Sequence, residues 1–205
     1  MTRIPFDSLA ALQLHRILFI GSFGVGKTTA IQTLSDIPVV GSEAAISSFF
    51  DGTREAATAA KSTTTVAFDY GEIQVEARER YALLGVPGQQ RFAHMWQSLL
   101  PSVLGAVLLI NPHNPDEPEH VRDWLQRLRS QPRPPHVVLG VTRIDVQDQA
   151  TLDRYQALAD ALMPGLPVFA VDPRRADHMR WSLGTVLALA EGDALPPDAV
   201  EQGDT

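Results

Sequence analysis

The sequence predicts an α/β protein in three layers: a mostly parallel six-stranded sheet with one antiparallel edge strand, covered by helices on both faces. Three observations carry this. Short apolar runs alternate with helix-like segments through the interior, the rhythm of parallel strands and crossover helices. A Gly-x-x-x-x-Gly-Lys-Thr run occupies residues 21–28, between the first such strand and the first such helix. One strand candidate carries a polar face, which suits the edge of a sheet.

The elements follow in order along the chain. Arg16 leads into an apolar strand at 17–20. A helix fits 27–34 and cannot continue past Pro38, whose ring breaks the hydrogen-bond ladder. Residues 41–64 have helical character at both ends and a turn at Asp51-Gly52, and read as a long, mobile connection. Strands at 65–70 and 80–84 are joined through Gly71-Glu72 and beyond, and the polar faces around Asp69, Glu72 and Glu76 suggest that one of them is an edge strand. A short helix fits 90–100, and the AVLLI run at 106–110 has the length of a buried strand. A proline-rich loop follows, with Asn111, Pro112, Pro115 and Pro118. The helix at 119–129 is amphipathic, with Val121, Trp124, Leu125 and Leu128 on one face. Pro132, Pro134 and Pro135 end it. A strand at 136–141, a helix at 152–162, a strand at 168–171 and a helix at 179–189 complete one domain over 14–190. Residues 1–13 form an N-terminal extension, and the acidic 191–205 is expected to be disordered.

Composition narrows the function. The 205 residues are 44% hydrophobic and 20% charged, as in a soluble globular protein. A net charge of −7 repels phosphate backbones, so no nucleic-acid partner is expected. The absence of cysteine excludes disulfides, thiolate metal sites and cysteine nucleophiles. No apolar run approaches the roughly 20 residues that cross a bilayer. The first residues lack the apolar core of a signal peptide, and Thr2 and the missing cysteines leave no lipid anchor. The expectation is a cytoplasmic protein without a direct membrane anchor.

The run Gly21, Ser22, Phe23, Gly24, Val25, Gly26, Lys27, Thr28 is a P-loop, with a strand before it and a helix, starting at Lys27, Thr28 and Thr29, after it. Its glycines let the chain wrap so that backbone N–H groups point at phosphate oxygens. The helix N-terminus adds partial positive charge. Lys27 brings a full charge to the outer phosphates and Thr28 a hydroxyl to Mg²⁺. This motif alone does not choose between GTPase, ATPase and kinase.

Downstream, Leu84-Gly85-Val86-Pro87-Gly88-Gln89-Gln90-Arg91-Phe92 follows a strand and precedes a helix. Here the sequence resembles the Ras-like small GTPases, and its Pro-Gly-Gln version is similar to the bacterial MglA-type (mutual-gliding-motility) branch. The resemblance covers about residues 16–189. It implies a Ras-like P-loop fold, GTP/GDP and Mg²⁺ as ligands, and a switch that works through protein partners: a roadblock-type activator and effectors. It makes Thr65 the first-switch threonine that turns its hydroxyl to Mg²⁺, with Thr64 an off-by-one alternative. Gly88 becomes a backbone donor to the γ-phosphate and Gln89 the residue that orients the attacking water; Gln90 is the weaker candidate. The catalytic set is then Lys27, Thr65 and Gln89. Thr142-Arg143-Ile144-Asp145 stands where the family has Asn-Lys-x-Asp. Asp145 would accept from guanine N1 and N2, and Arg143 would lay its stem along the base. Val171, Asp172 and Pro173-Arg174 fall at the last base-contacting loop.

Four departures bear on activity. Gly85 stands in place of the second-switch Asp that holds Mg²⁺ through water. Phe23 replaces a P-loop glycine, and its ring would hinder an arginine finger or Gln89, so hydrolysis should be slow or activator-dependent. Thr142 replaces the asparagine that braces the P-loop. Pro173 removes a backbone N–H near the guanine carbonyl. These also support two alternatives: a non-hydrolysing nucleotide-dependent scaffold, and a P-loop ATPase or kinase. Arg54, Arg78 and Arg91 read as surface residues, and His94, Met95 and Trp96 as packing or partner contacts. His113 and His120 show no metal-ligand spacing.

Overall fold

The computed structural model describes residues 15–41, 69–75, 79–86, 100 and 103–194. The strands are β1 (His15–Ile20), β2 (Val40–Gly41), β3 (Asp69–Gln74), β4 (Arg80–Gly85), β5 (Val103–Ile110), β6 (His136–Val141) and β7 (Val168–Ala170). The helices are α1 (Lys27–Leu34), α2 (Glu117–Arg129), α3 (Gln149–Asp160) and α4 (Ala176–Ala194).

The strands form one sheet in the order β2-β3-β4-β1-β5-β6-β7. β1 pairs parallel with β4 and β5, β5 with β6, and β6 with β7. β3 alone runs against its neighbours. The six expected strands are therefore present with one antiparallel member, and the two-residue β2 adds a short outermost strand. Such a short edge offers little unpaired backbone to another chain.

The central strands alternate between two cores. Leu18 and Ile20 of β1 face one side, with Val121, Trp124, Leu125 and Leu128 of α2 and Tyr155 of α3. Ile17 and Phe19 face the other, with Ile31 and Leu34 of α1 and Met179, Leu183 and Val186 of α4. A period-two strand between two amphipathic helix pairs produces the three layers. α2 is reinforced at its ends: Glu117 and Glu119 occupy its first turn and Arg127 and Arg129 its last, matching the helix dipole. Asp148 caps α3 by accepting from the Thr151 N–H.

One expected connection is corrected. Gly71 and Glu72 lie inside β3, and the chain turns between β3 and β4 beyond Gln74. Gly71 is not a turn glycine: a Cβ there would come within 2.7 Å of Ser35 Oγ and 2.9 Å of Ile31 Cγ2. Glu72 is buried rather than on a wet edge face, because the Tyr70 hydroxyl (2.6 Å) and Arg80 Nη1 (2.9 Å) donate to its carboxylate. α4 begins before 179 and runs past the expected domain end at 190, to Ala194. The expected connection over 41–64, the helix over 90–100 and the two terminal segments fall largely outside the described residues.

Candidate functional site

The P-loop leaves the C-terminal end of the central strand β1 and enters α1, with parallel neighbours on both sides. In such sheets ligands bind beyond the carboxyl ends of the strands. Gly21, Gly24 and Gly26 adopt positive φ values of 143°, 72° and 111°. Side chains other than glycine rarely take these conformations. Gly26 is also a close-approach point: a Cβ would lie 2.7 Å from Pro173 Cγ.

At the phosphate end, Lys27 Nζ donates to the carbonyls of Gly21 and Ser22, both at 2.8 Å. Burial pulls its pKa from 10.5 down to about 8, against the raising effect of the Asp69 and Glu117 carboxylates. Thr28 Oγ1 donates to Asp69 Oδ2 at 2.5 Å. Asp69 starts β3 directly opposite Gly85 of β4. A Cβ at 85 would sit 2.9 Å from Asp69 Oδ2 and 2.8 Å from Ile31 Cδ1. The absent side chain at 85 therefore makes room for a carboxylate that arrives from the neighbouring strand. Sequence reasoning placed Asp69 only on a polar edge face. The signal that could have found it is the hairpin register, which sets an acid against the one unexpected glycine.

Glu117 is the second residue that sequence reading missed. It is the first residue of α2 and only 1% exposed. Ser22 Oγ lies 2.7 and 2.6 Å from its two carboxylate oxygens, and Asn114 Nδ2 donates at 2.8 Å. In sequence it is one more acid in a Pro-Asp-Glu-Pro-Glu run of helix-start residues.

At the base end, an open cleft of about 530 Å³ joins Gly24, Val25, Gly26 and Thr29 to Thr142, Arg143, Val171 and Asp172. That volume suits a nucleotide-sized ligand. Arg143 has a left-handed backbone, φ 60°, alone among the described non-glycine residues. Its Nη2 donates to the Gly24 carbonyl at 2.6 Å, and its own carbonyl lies 3.1 Å from His113 Nε2. Strain of this kind persists where contacts on both sides hold it. Arg143 thus braces the P-loop. Thr142, expected at a position that braces the P-loop, is buried and donates its hydroxyl to the Ile110 carbonyl of β5 instead (2.8 Å). Its side chain is too short to reach further.

Asp145 is exposed, and its Oδ1 accepts from the Gln147 N–H at 2.9 Å. Val171 is buried beneath the cleft. Asp172 receives Arg174 Nη2 at 2.7 Å, which holds its carboxyl down at about 2, and its N–H donates to His178 Nδ1 at 3.0 Å. Phe23 points outward, 91% exposed. Thr64, Thr65, Gly88, Gln89 and Gln90 lie outside the described residues, as do Arg54, Arg78, Arg91, His94, Met95 and Trp96. His120 Nδ1 sits 3.8 Å from Glu117. Among the described residues, no cluster of three or more His, Asp or Glu residues could hold a metal by itself, and no helix is long and apolar enough to cross a membrane.

A P-loop on the central strand of this mostly parallel sheet, facing a second loop across a nucleotide-sized cleft, defines a P-loop protein of the Ras-like GTPase fold. The chain belongs to the family described as "Conserved hypothetical ATP binding protein", whose model matches residues 50–173. That match begins beyond the P-loop. The chain is also similar to the human Ras-related protein Rab-27A, 24% identical over 191 residues that make up 86% of this chain and 78% of the relative. Among solved structures, bacterial selenocysteine-specific elongation factor EF-Sec superposes with a TM-score of 0.58 at 19% identity over 86% of this chain. The cytosolic domain of the T. maritima FeoB iron transporter, in its GMPPNP form, superposes with 0.58 at 15% identity over 87% of this chain. The chain spans 29% of the elongation factor and 64% of the FeoB domain. These two share its fold.

Proposed function

We propose that this protein binds GTP and GDP in the cleft between the P-loop and the Thr142–Asp145 loop, and acts as a molecular switch that hydrolyses GTP slowly. The observation that carries the reading is the joined construction of the two ends. Lys27 and Thr28 stand at the phosphate end, and Arg143 ties the base-side loop to Gly24. Similarity to Rab-27A supports guanine as the base.

Thr28 and Asp69 fit a magnesium site, since that ion takes one or two protein oxygen ligands and fills the rest with phosphate and water. When bound, the ion would neutralise charge on the outer phosphates. In this reading Thr65 and Gly88 hold two loops on the γ-phosphate, and hydrolysis releases them. Gln89 orients water, while the exposed Phe23 ring at the loop mouth slows turnover. A roadblock-type activator completes the site, and effectors read the ordered loops, in a cytoplasmic process such as polarity, motility or signalling.

A second reading, ATP in the same cleft, is favoured by the family description and by two base-end features. Thr142 turns its hydroxyl to Ile110, and Pro173 has no N–H to offer a guanine carbonyl. Calorimetric titration with GTP, GDP and ATP in Mg²⁺ separates the two: tight GTP and weak ATP are expected, and the reverse order overturns the first reading. Single-turnover hydrolysis with and without a roadblock-domain protein tests the enzyme. Phosphate release in neither case would leave a nucleotide-dependent scaffold.

A further inference from the structure

The last loop of the cleft, 171–175, keeps no backbone donor for a base. The Val171 N–H goes to the Val141 carbonyl at 2.9 Å, and the Arg175 N–H to the Asp172 carbonyl at 3.0 Å. The Arg174 N–H goes to Asp172 Oδ1 at 3.0 Å. Pro173 has no N–H. The Asp172 N–H goes to His178 Nδ1 at 3.0 Å. Backbone N–H groups need partners, and here each one has its partner inside the protein. A base carbonyl reaching this loop would meet no main-chain donor. The neighbouring side-chain donors are engaged as well. Arg174 and Arg175 turn onto Asp172 and Asp177, Arg143 onto the Gly24 carbonyl, and the Thr142 hydroxyl onto Ile110.

His178 differs from these. It is half-buried in the first turn of α4 and lines the cleft. Its Nδ1 accepts from Asp172, so the neutral ring carries its proton on Nε2. Among the described residues, none accepts from that Nε2–H. The bond to Asp172 thus fixes a tautomer whose other nitrogen is a donor. Given the reading of this cleft as a guanine-nucleotide site, we propose that His178 is a specificity-determining residue: its Nε2–H donates to the 6-oxo group of the purine, in place of the backbone N–H that Pro173 removes. Asp145 then accepts from the N1 and N2 edge while His178 donates at C6. Adenine reverses the second contact. Its 6-amino group is also a donor, so the two donors face each other unpaired.

The test is calorimetric titration of the full chain with GTP, inosine triphosphate and ATP in Mg²⁺. Inosine triphosphate keeps the 6-oxo group and lacks the 2-amino group, whereas ATP lacks both. His178→Phe keeps a ring and removes its nitrogens. Affinity for GTP and for inosine triphosphate should each fall about tenfold relative to ATP, the size of one hydrogen bond. The variant also leaves the Asp172 N–H without its partner, but that loss weakens all three ligands alike and cancels in the ratio. An equal loss for all three would mean that His178 only supports the loop, and it overturns the proposal. No loss at all overturns it, and so does a loss confined to GTP. If His178→Phe does not fold, ¹⁵N-histidine labelling of the wild type takes its place. The assigned His178 Nε2–H signal should move on adding GTP or inosine triphosphate and hold on adding ATP. A signal indifferent to GTP, or moved equally by ATP, overturns the proposal. A wild type that binds none of the three sinks the cleft reading, and this proposal with it. A wild type that binds GTP while the His178 tests fail sinks this proposal alone.

Discussion

The two ends of the cleft are built differently. At the phosphate end, side chains far apart in sequence meet in short hydrogen bonds: Thr28 with Asp69, and Ser22 with Glu117. At the base end, the two carboxylates take partners two residues away, Asp145 from Gln147 and Asp172 from Arg174, and neither is buried. Longer ties there come from Arg143, which bonds Gly24 and His113, and from Thr142, which bonds Ile110 of β5. Contacts between distant segments depend on the whole fold, whereas i to i+2 contacts form in any local turn. The phosphate end should therefore resist change least and show the largest effects when altered. The base end should be adjustable, which is where GTP and ATP would be told apart.

The largest effect should come from Lys27→Met. Loss of the only lysine in the loop should cut triphosphate affinity at least about 100-fold, in line with the ~3 kcal/mol of strong charge-assisted hydrogen bonds. The same change should stabilise the fold. The Lys27 pKa is about 8 in the folded protein against 10.5 in the open chain, so between those values the unfolded chain holds more proton and stability rises with pH. Below about pH 8 the full penalty applies, up to roughly 3 kcal/mol before the loss of its two carbonyl contacts is subtracted. Thermal melts should show the variant above the wild type at neutral pH, with the gap closing towards pH 10.5. A variant that melts lower at neutral pH would mean that those contacts outweigh the burial of charge.

Asp69→Asn comes next. Asparagine can still accept from Thr28, so the fold should hold, but the charge beside Thr28 is gone. The magnesium concentration needed for nucleotide binding should rise about 10-fold, the usual cost of an altered group next to a metal ligand. Equal magnesium dependence in both proteins would remove Asp69 from the site. Asp145→Ala tests the base end. GTP affinity should drop by about 10-fold, the ~1.4 kcal/mol of an exposed charged hydrogen bond, with ATP unaffected. A parallel loss for both nucleotides would show that Asp145 shapes its own turn, through Gln147, and does not read the base.

The contrast between the two ends also explains what was legible in the sequence. The P-loop, the strand alternation and the amphipathic α2 face are local patterns, and all three appear where expected. Element edges shifted by a few residues, because apolar periodicity fades before hydrogen bonding ends: β5 starts at Val103 and α2 at Glu117. The hairpin was misplaced since Gly71 looks like a turn glycine, when its missing Cβ actually makes room for Ser35 and Ile31. Asp69 and Glu117 were missed as site residues for a related reason. Each gains its role from a partner 41 or 95 positions away, through strand register in one case and helix placement in the other.

The smallest effect should be at Arg174, which closes a short turn onto Asp172. The pair is wet, with the arginine side chain 80% exposed and the aspartate 31%, so Arg174→Ala should change stability at neutral pH only slightly. Its signature is its pH dependence. Arg174 holds the Asp172 carboxyl at about 2 against 3.8, so the contribution is present above 3.8 and disappears as pH falls through about 2. Acid unfolding of wild type and variant should therefore converge at the low end of that window. Nucleotide affinity should change even less than stability, provided that the Asp172 N–H stays on His178. If Arg174→Ala instead weakened GTP or ATP binding severalfold, the base end would not be the loosely built half of the cleft. Arg174 would then be a direct ligand contact, and the difference between the two ends would lie in exposure alone.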